Sequence, residues 1–498
     1  MIDFNTIPAG VRVPFAYVEF DNSQANGQLP VGNRTALIIG QMLASGSVAA
    51  GIPIAVQNGA QAAQYFGAGS MLATMIDWFC SVNQTTPVTA IAVADNPAGV
   101  AATGKITFAG AAIAAGTVPL YIAGIAVPVA VNAGDTPSIV ATNVVAAIAA
   151  NAGTAINPRN LLPVSAVVNA QTAAEVDLTA LHKGLAANDI DIRIGYYTGE
   201  AMPTGLTATI VPMSGGTLNP DISPVIAAMG DVWYNDIVYP YNDTVNQPVL
   251  EAELTSRFGG IRQIDGVAYN AFRGTAAATD TFGATRNNQC CTTMGTSRVP
   301  EPPYVWAAVN AAVASPALAA DPARPLKTLV LTGLKAPAQA DAFTWEERNL
   351  HLHSGISTYA VDASGNVLIE RQVTNYQKNA SNIADTSYLQ VNTVATLGYL
   401  RFSTRTMITS KYPRYKLAQD GTPVAPGQAI VTPSIINGEL VALASDWVTA
   451  GLVQDIADFK TSLTCEINAQ DPTRLDVLAS PELVSQFEVF AEQIQFLL

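Results

Sequence analysis

Short apolar runs alternate with longer helical segments along most of this chain, and this order most constrains its fold. The run from Thr35 to Gly40 is typical of a buried strand, Ser70 to Val82 of a helix, and Val88 to Ala94 of a second strand. The same pattern returns further along, with a helix predicted from Gln247 to Phe258 and a strand from Val267 to Phe272. Such alternation packs helices against a mostly parallel sheet, so we predict an α/β core.

Residues 97–195 interrupt this pattern with a different composition. Alanine supplies 26 of these 99 residues, and the only aromatic side chains are Phe108 and Tyr121. Several short strands, among them one from Ile125 to Val131, and one helix, from Pro137 to Ala150, are predicted here. Because the α/β pattern resumes afterwards, we interpret this segment as an inserted, β-rich α+β domain.

One part of the insertion could be mistaken for a membrane span. The 26 residues from Ile106 to Val131 carry no charge and are long enough to cross a bilayer. Glycine and proline interrupt the stretch every few residues, which favours short strands and turns over a helix. We therefore expect no stable membrane insertion.

The core is predicted to span residues 31–96 and 196–378, and a smaller α+β domain to span 379–480. Within the core, a strand is predicted from Thr328 to Leu331, and Asp341 is predicted to cap a helix that ends near His351. A hairpin is expected to turn at 363–366. In the C-terminal domain we expect a long helix from about 380 to 410, a helix near 433–450, and strands at 462–468 and 474–478.

Both ends of the chain have the pattern of strands that lack a sheet. Period-two alternation predicts a strand, and a strand at a chain end must pair with another sheet. We therefore interpret residues 1–30 and 481–498 as extended arms. The apolar positions of the arms are Val11, Val13, Phe15 and Tyr17 in the first and Ile494, Phe496 and Leu498 in the second.

Charge is scarce. Only 12% of the 498 residues are charged, about half the usual fraction. The net charge of −14 argues against a nucleic-acid partner or an anionic membrane surface. So weakly polar a surface is expected to be covered by other copies of the chain.

One segment runs against this acidic balance. Residues 401–416 hold five of the 24 basic side chains and no acidic one. The pattern fits either a solvated helix end with bases near the C-terminal dipole or a docking patch for an acidic protein partner. The basic residues are Arg401, Arg405, Lys411, Arg414 and Lys416.

Candidate catalytic and metal-binding residues are few. The four cysteines lack the spacing of a zinc site, and His351 and His353 have no acidic or thiol neighbour within a few residues. His182 is expected to be exposed after a strand. Ser214 is flanked by glycine without GxSxG spacing and is expected in a loop.

No phosphate-binding loop occurs between a strand and a helix. The acidic pairs 346–347 and 189–191 are assigned structural roles, the first in a helix's first turn and the second facing outward on a strand. We expect no catalytic, cofactor-binding or metal site. The N-terminal sequence MIDFNTIPAGVRVPF has no apolar segment of the secretory type, so synthesis in a reducing cytoplasm is expected.

Long blocks of this sequence resemble contractile-tail sheath proteins of the Mu-like phage type. In order, they include PAGVRVPFAYVEFDNSQAN, PVGNRTALIIGQ, DGVAYNAFRGT, ERNLHLHSGISTYAVDASGNVLIERQVTNYQ, YLRFSTRTMITSKYPRYKLAQDGTPVAPGQAIVTP and DPTRLDVLASPELVSQFEVFAEQIQFLL. The resemblance covers nearly the whole chain.

The resemblance implies a virion structural protein, made in the host cytoplasm, that stacks in hexameric rings around a tail tube. It implies contraction that drives the tube through the host envelope, a core that is subtilisin-like in topology only, and arms that add strands to a neighbour's C-terminal-domain sheet. The C-terminal domain would lie against the tube, with the insertion outward. The implied partners are other copies of the chain, the tail tube protein, and the baseplate and tail terminator proteins.

Two other readings stay open on the residues alone. An acidic hydrolase with a subtilisin-like core would need a Ser/His/Asp arrangement that the sequence does not suggest. A secreted or surface-array structural protein would also suit the low charge and high alanine content.

Overall fold

The structure is a computed structural model that describes residues 34–151, 161–423, 425 and 427–497. The predicted arm from 1 to 30 lies outside these residues. The described chain divides into a larger compact unit, 34–399 with 483–497, and a smaller one, 400–482. The predicted mixed α/β fold is confirmed.

Strands occur along the whole described chain. In chain order they are β1 (Ala36–Gln41), β2 (Pro53–Val56), β3 (Val88–Val93), β4 (Ala101–Gly110), β5 (Gly116–Ile122), β6 (Ile125–Val131), β7 (Val164–Val168), β8 (Glu175–Lys183), β9 (Ile192–Ile194), β10 (Leu206–Ser214), β11 (Asp236–Val238), β12 (Val267–Arg273), β13 (Cys291–Thr296), β14 (Thr358–Val361), β15 (Val367–Arg371), β16 (Lys416–Leu417), β17 (Ile430–Val431), β18 (Val453–Gln454), β19 (Thr464–Ile467), β20 (Leu475–Leu478) and β21 (Glu482–Leu483).

Helices separate these strands. They are α1 (Gly59–Phe66), α2 (Met71–Val82), α3 (Pro137–Ala150), α4 (Ser223–Met229), α5 (Asn246–Phe258), α6 (Ala276–Ala284), α7 (Pro303–Ala320), α8 (Trp345–His353), α9 (Val391–Lys411), α10 (Pro433–Thr449) and α11 (Ile456–Ser462).

The core of the larger unit is a six-stranded sheet in the order β13-β12-β11-β1-β3-β2. Its strands are parallel, apart from edge strand β2, which runs antiparallel to β3. Every residue of β1 is buried, as expected of a central parallel strand covered on both faces. Most of α7 is buried in the same hydrophobic core, and its many alanines allow it to lie close to its neighbours.

The chain between β3 and α4 forms two further sheets, with orders β10-β4-β8-β7 and β6-β5-β9. Together with α3 they enclose a hydrophobic cluster of their own. Strand β6 and helix α3 have the bounds that the sequence predicts. Strand β10 was not predicted and begins after residue 195, the predicted end of the insertion. It is an edge strand with a mostly exposed pattern, and Pro212 lies near a register shift, so its periodicity is weak.

Three local predictions were wrong. Helix α9 begins at Val391 rather than near 380, because Asn379 and Asp385 accept backbone N–H groups of following residues and hold turns. Helix α8 is capped by Thr344 in a capping box, not by Asp341.

The third concerns 328–331, which forms a single bridge, Val330 to Leu368, rather than a strand. Its backbone nevertheless bonds along β15, since the Thr328 N–H donates to the Ile369 carbonyl at 2.8 Å and the Leu331 N–H to the Val367 carbonyl at 2.8 Å. The predicted hairpin is present as β14 and β15, with its turn between them.

The smaller unit packs around helix α10. Leu440 and Trp447 on this helix are buried, as is Phe459 of α11. The Trp447 indole N–H donates to Ser403 Oγ at 3.0 Å. Helix α11 was not predicted, whereas α10, β19 and β20 lie where the sequence places them.

Candidate functional site

The C-terminal segment carries a series of large apolar side chains in water. Residues 484–497 form no helix or strand within the single chain. Burial of one such side chain contributes about 1.5–3 kcal/mol, so their joint exposure is typical of an interaction surface. The exposed side chains are Phe487, Val489, Phe490, Ile494, Phe496 and Leu497.

Two predicted arm positions lie on this segment. Ile494 is 77% exposed and Phe496 is 78% exposed. Leu498 lies outside the described residues, as do Val11, Val13, Phe15 and Tyr17 of the first arm. A strand formed by this segment on a second sheet therefore remains a prediction.

A hairpin in the smaller unit offers open strand edges. Strands β19 and β20 pair antiparallel from Thr464 opposite Leu478 to Ile467 opposite Leu475, and no third strand joins them in the described chain. Leu478 is 66% exposed. A two-stranded hairpin is marginal alone, and its unpaired backbone groups are a template for an added strand.

The turn of this hairpin is set by Asn468. Its side-chain oxygen accepts the N–H groups of Gln470 and Asp471, and its side-chain nitrogen donates to Asp476 Oδ2 at 2.6 Å. These bonds fix the register of the hairpin without help from a further strand.

The predicted basic residues all belong to the smaller unit, but their charges are not equally available. Lys411 Nζ lies 2.6 Å from Glu439 Oε2, and this bond lowers the pKa of Glu439. Lys416 donates to the Gln428 side chain at 3.1 Å. Arg414 is exposed.

Arg401 and Arg405 lie one turn apart on α9, and both make contacts within the chain. Arg405 is exposed and Arg401 is partly buried. Arg405, Lys411, Arg414 and Lys416 are thus all exposed, and of these Lys411 and Lys416 have named partners within the chain.

His182 is buried, and its predicted exposure was wrong. It lies within β8 at a position whose side chain faces the interior. Its Nε2 accepts the Met71 backbone N–H at 3.0 Å, and its Nδ1 lies 3.0 Å from Asp95 Oδ1. The Asp95–His182 pair therefore binds the N-terminus of α2. Because Nε2 is occupied by the Met71 N–H, the pair does not activate a serine or other nucleophile at that nitrogen, as a catalytic triad would.

The other polar residues singled out in the sequence make contacts that support secondary structure. His351 and His353 end α8, as expected, and His351 Nδ1 lies 2.7 Å from Asp280 Oδ1. Ser214 ends β10 rather than lying in a loop. Glu347 caps the first turn of α8.

The acidic pair 189–191 does not face outward, contrary to prediction. Asp191 lines a cavity of about 370 Å³ between the inserted strands and the core. It pairs with Arg193 and, at 2.7 Å, with Arg273. Burial raises the pKa of Asp189 to about 6, against the attraction of Arg273. Sequence spacing gives no signal for this cluster because its members come from separate elements.

The described residues contain neither a metal-binding cluster nor a membrane-spanning helix. Within 34–151 and 161–497, setting aside 424 and 426, no three His, Cys, Asp or Glu side chains converge to hold a metal ion. None of the helices among the described residues combines the length and hydropathy that a membrane span requires.

Comparison with known proteins gives consistent matches along the chain. Residues 215–375 match the phage tail sheath protein central domain, and residues 384–496 match the phage tail sheath C-terminal domain. The chain is 43% identical over 497 residues to the Mu-like prophage FluMu tail sheath protein of Haemophilus influenzae, covering 100% of each chain.

Two solved structures are similar at low identity. The sheath tail protein of Desulfitobacterium hafniense is 14% identical, with 95% of this chain and 98% of that chain covered and a TM-score of 0.49. A chain of the anti-feeding prophage helical sheath in the contracted state is 9% identical, with 97% and 99% covered and a TM-score of 0.47.

Proposed function

Because this chain belongs to the phage tail sheath protein family, we propose that it polymerises as stacked hexameric rings around a tail tube and contracts to drive that tube through the host envelope. The full-length match at 43% identity carries this proposal. The subunit is made in the host cytoplasm and resides in the virion tail. Its partners are further copies of itself, the tail tube protein, and the baseplate and tail terminator proteins.

The exposed C-terminal segment supports a linking role. We propose that residues 487–498 add a strand to the β19–β20 hairpin of a neighbouring copy, and that 1–30 act similarly. Main-chain hydrogen bonds supply affinity in such strand addition, and alternate side chains fill pockets. Burying Ile494 and Phe496 would each contribute about 1.5–3 kcal/mol.

Electron microscopy of the purified protein tests this proposal. The full chain should form long striated cylinders, and a chain truncated after Gln486 should remain a folded monomer. Persistent monomers of the full chain would contradict the sheath proposal, and cylinders of wild-type appearance from the truncated chain would contradict the arm proposal.

The basic segment is proposed to face the tube. Exposed ion pairs are worth under about 1 kcal/mol each, which suits contacts that must release on contraction. Arg401→Glu with Arg405→Glu should weaken assembly templated by tube protein, measured by co-sedimentation, and Lys105→Glu in the insertion is the matched control. Unchanged co-assembly of the double variant would reject a tube-facing role.

The domain assignments extend the same proposal. We propose a subtilisin-like topology for the core, with 379–480 as the tube-proximal domain and the insertion outward. The separate hydrophobic cluster of the inserted strands supports an independent domain there.

Contraction is proposed to exchange one set of contacts for a larger one without unfolding the domains, starting from a kinetically trapped extended state. A hydrolase is not favoured, because the family is structural and the Nε2 of His182 already accepts a backbone N–H. A surface-array protein is not favoured either, since the full-length relative is a tail sheath protein.

A further inference from the structure

The base of the C-terminal arm is held by the chain's own core. Gln486 Nε2 donates to the Ala323 carbonyl at 3.3 Å. Lys327 Nζ donates to the carbonyls of Phe487 and, at 3.2 Å, of Glu488. These contacts join three consecutive arm residues to one loop, 321–328, which we call the clamp loop.

Lys327 makes further contacts with the same residues. Its ammonium lies 5.4 Å from the centre of the Phe487 ring, within the range of a cation–π contact. It also lies 3.8 Å from Glu488 Oε2. Because these charge-assisted bonds are made to two backbone carbonyls, they fix the path of the arm independently of its side chains.

The clamp loop is itself held from two sides. Asn392, buried at the start of α9, donates to the carbonyls of Pro322 at 2.9 Å and Arg324 at 2.7 Å. At the other end the Thr328 N–H donates to the Ile369 carbonyl. The loop is therefore a fixed support and not a flexible connection.

Thr328 adopts a φ of +68°. This left-handed conformation is unfavourable for a β-branched residue, and such strain persists only where surrounding contacts enforce it. Thr328 immediately follows Lys327, at the point where the chain leaves the clamp loop and residues 328–331 begin to run alongside β15. Strain at this position is a second observation, independent of the arm contacts, that marks the loop.

We propose that the clamp loop, through Lys327, fixes the point from which the C-terminal arm reaches a neighbouring copy. This inference rests on the proposed linking role of the arm. Lys327 acts as a positioning residue that sets how far away the acceptor hairpin can lie.

The reach follows from the length of chain beyond the clamp. The ten residues from 489 to 498 span about 33 Å when extended, at about 3.3 Å per residue. If the clamp opens back to β21, the fifteen residues from 484 span about 50 Å. A longer free arm has a lower effective concentration at its acceptor.

Proteolysis of the full-length monomer with a glutamyl endopeptidase tests the clamp. Glu488 lies in the part of the arm that Lys327 holds, and Glu492 lies beyond it. Cleavage after Glu492 is therefore an internal reference for cleavage after Glu488. Lys327→Met keeps the side-chain length but removes the ammonium, and it should speed cleavage after Glu488 about tenfold while cleavage after Glu492 stays unchanged. Lys327→Arg should restore slow cleavage, and Lys105→Met, which breaks a surface ion pair of the insertion, should behave as wild type.

Assembly provides the second readout. Lys327→Met should raise the protein concentration needed for cylinder formation several-fold. Equal cleavage after Glu488 in wild type and variant, or an unchanged assembly threshold, would overturn the clamp. Failure of the linking role itself is seen separately, as cylinders formed by the chain truncated after Gln486.

Discussion

At the scale of single residues, Asp95 joins the inserted strands to the core. It accepts hydrogen bonds from His182 Nδ1, from the Lys183 backbone N–H at 3.0 Å and from the Gln41 side chain at 2.7 Å. Because Met71 donates its N–H to Nε2 of His182, the ring proton must lie on Nδ1. Burial raises the pKa of Asp95, but these donors outweigh it and lower the pKa overall.

Asp95→Asn should therefore destabilise the protein at pH 7 by about 2 kcal/mol, since three donors lose a charged acceptor. A carboxylate with a lowered folded pKa stabilises the fold above its unfolded pKa, about 3.9, and loses that effect as the pH falls below it. The free energies of unfolding of wild type and variant, measured with urea, should therefore differ by the full amount at pH 6–7, and the difference should shrink as the pH falls below about 4. A constant difference across this range would show that the charge of Asp95 is not responsible.

At the scale of elements, the β19–β20 hairpin and the C-terminal segment are complementary. The hairpin is a two-stranded sheet with open edges in the described chain, and the segment has exposed apolar side chains and no sheet of its own. Among the described residues, no third strand joins the hairpin and residues 484–497 form no strand. Strand addition between copies would complete both at once.

Leu478→Arg tests the hairpin as the acceptor. Leu478 is 66% exposed, so the monomer should change in stability by less than about 0.5 kcal/mol. Cylinders should be lost, because the charge would be buried under an added strand. Ile261→Arg, at a 99% exposed position in the larger unit, is the matched control and should assemble normally. Normal cylinders from the Leu478 variant would place the acceptor elsewhere.

At the scale of the whole molecule, the described chain contains two compact units. The larger encloses the six-stranded sheet, with Trp306 fully buried in its core. The smaller encloses Trp447 and Phe459. Units with separate cores are expected to unfold as separate cooperative transitions.

Calorimetry of the monomer should accordingly resolve a transition of the larger unit that is separate from the transition of the smaller unit. Trp447→Ala should lower the midpoint of one, because removing a buried tryptophan costs about 3–5 kcal/mol. Trp306→Ala should lower the midpoint of the other and serves as the reciprocal control. A single transition shifted equally by both substitutions would mean that the two units unfold together.

Strong local patterns in the sequence predicted their elements well. The bounds of β6 and α3 were predicted as found, and β3, α5 and the β14–β15 hairpin within a few residues. Predictions failed where side chains compete with the helix backbone, as before α9, and at an edge strand such as β10. His182 was misplaced because its burial depends on Asp95 and Met71, which are distant in sequence.

The sequence by itself determined the mixed α/β fold, the alanine-rich composition of residues 97–195, the apolar pattern of the C-terminal residues and the family. Periodicity, composition and long family-like sequence blocks are properties of neighbouring residues, so they can be read from the sequence of a single chain. Only the tertiary structure decided that Asp95 and His182 meet, that Asp191 pairs with Arg273, and that Lys327 holds residues 487 and 488. These contacts join residues 82 to 161 positions apart, and no spacing rule specifies which of the few charged side chains the fold brings together.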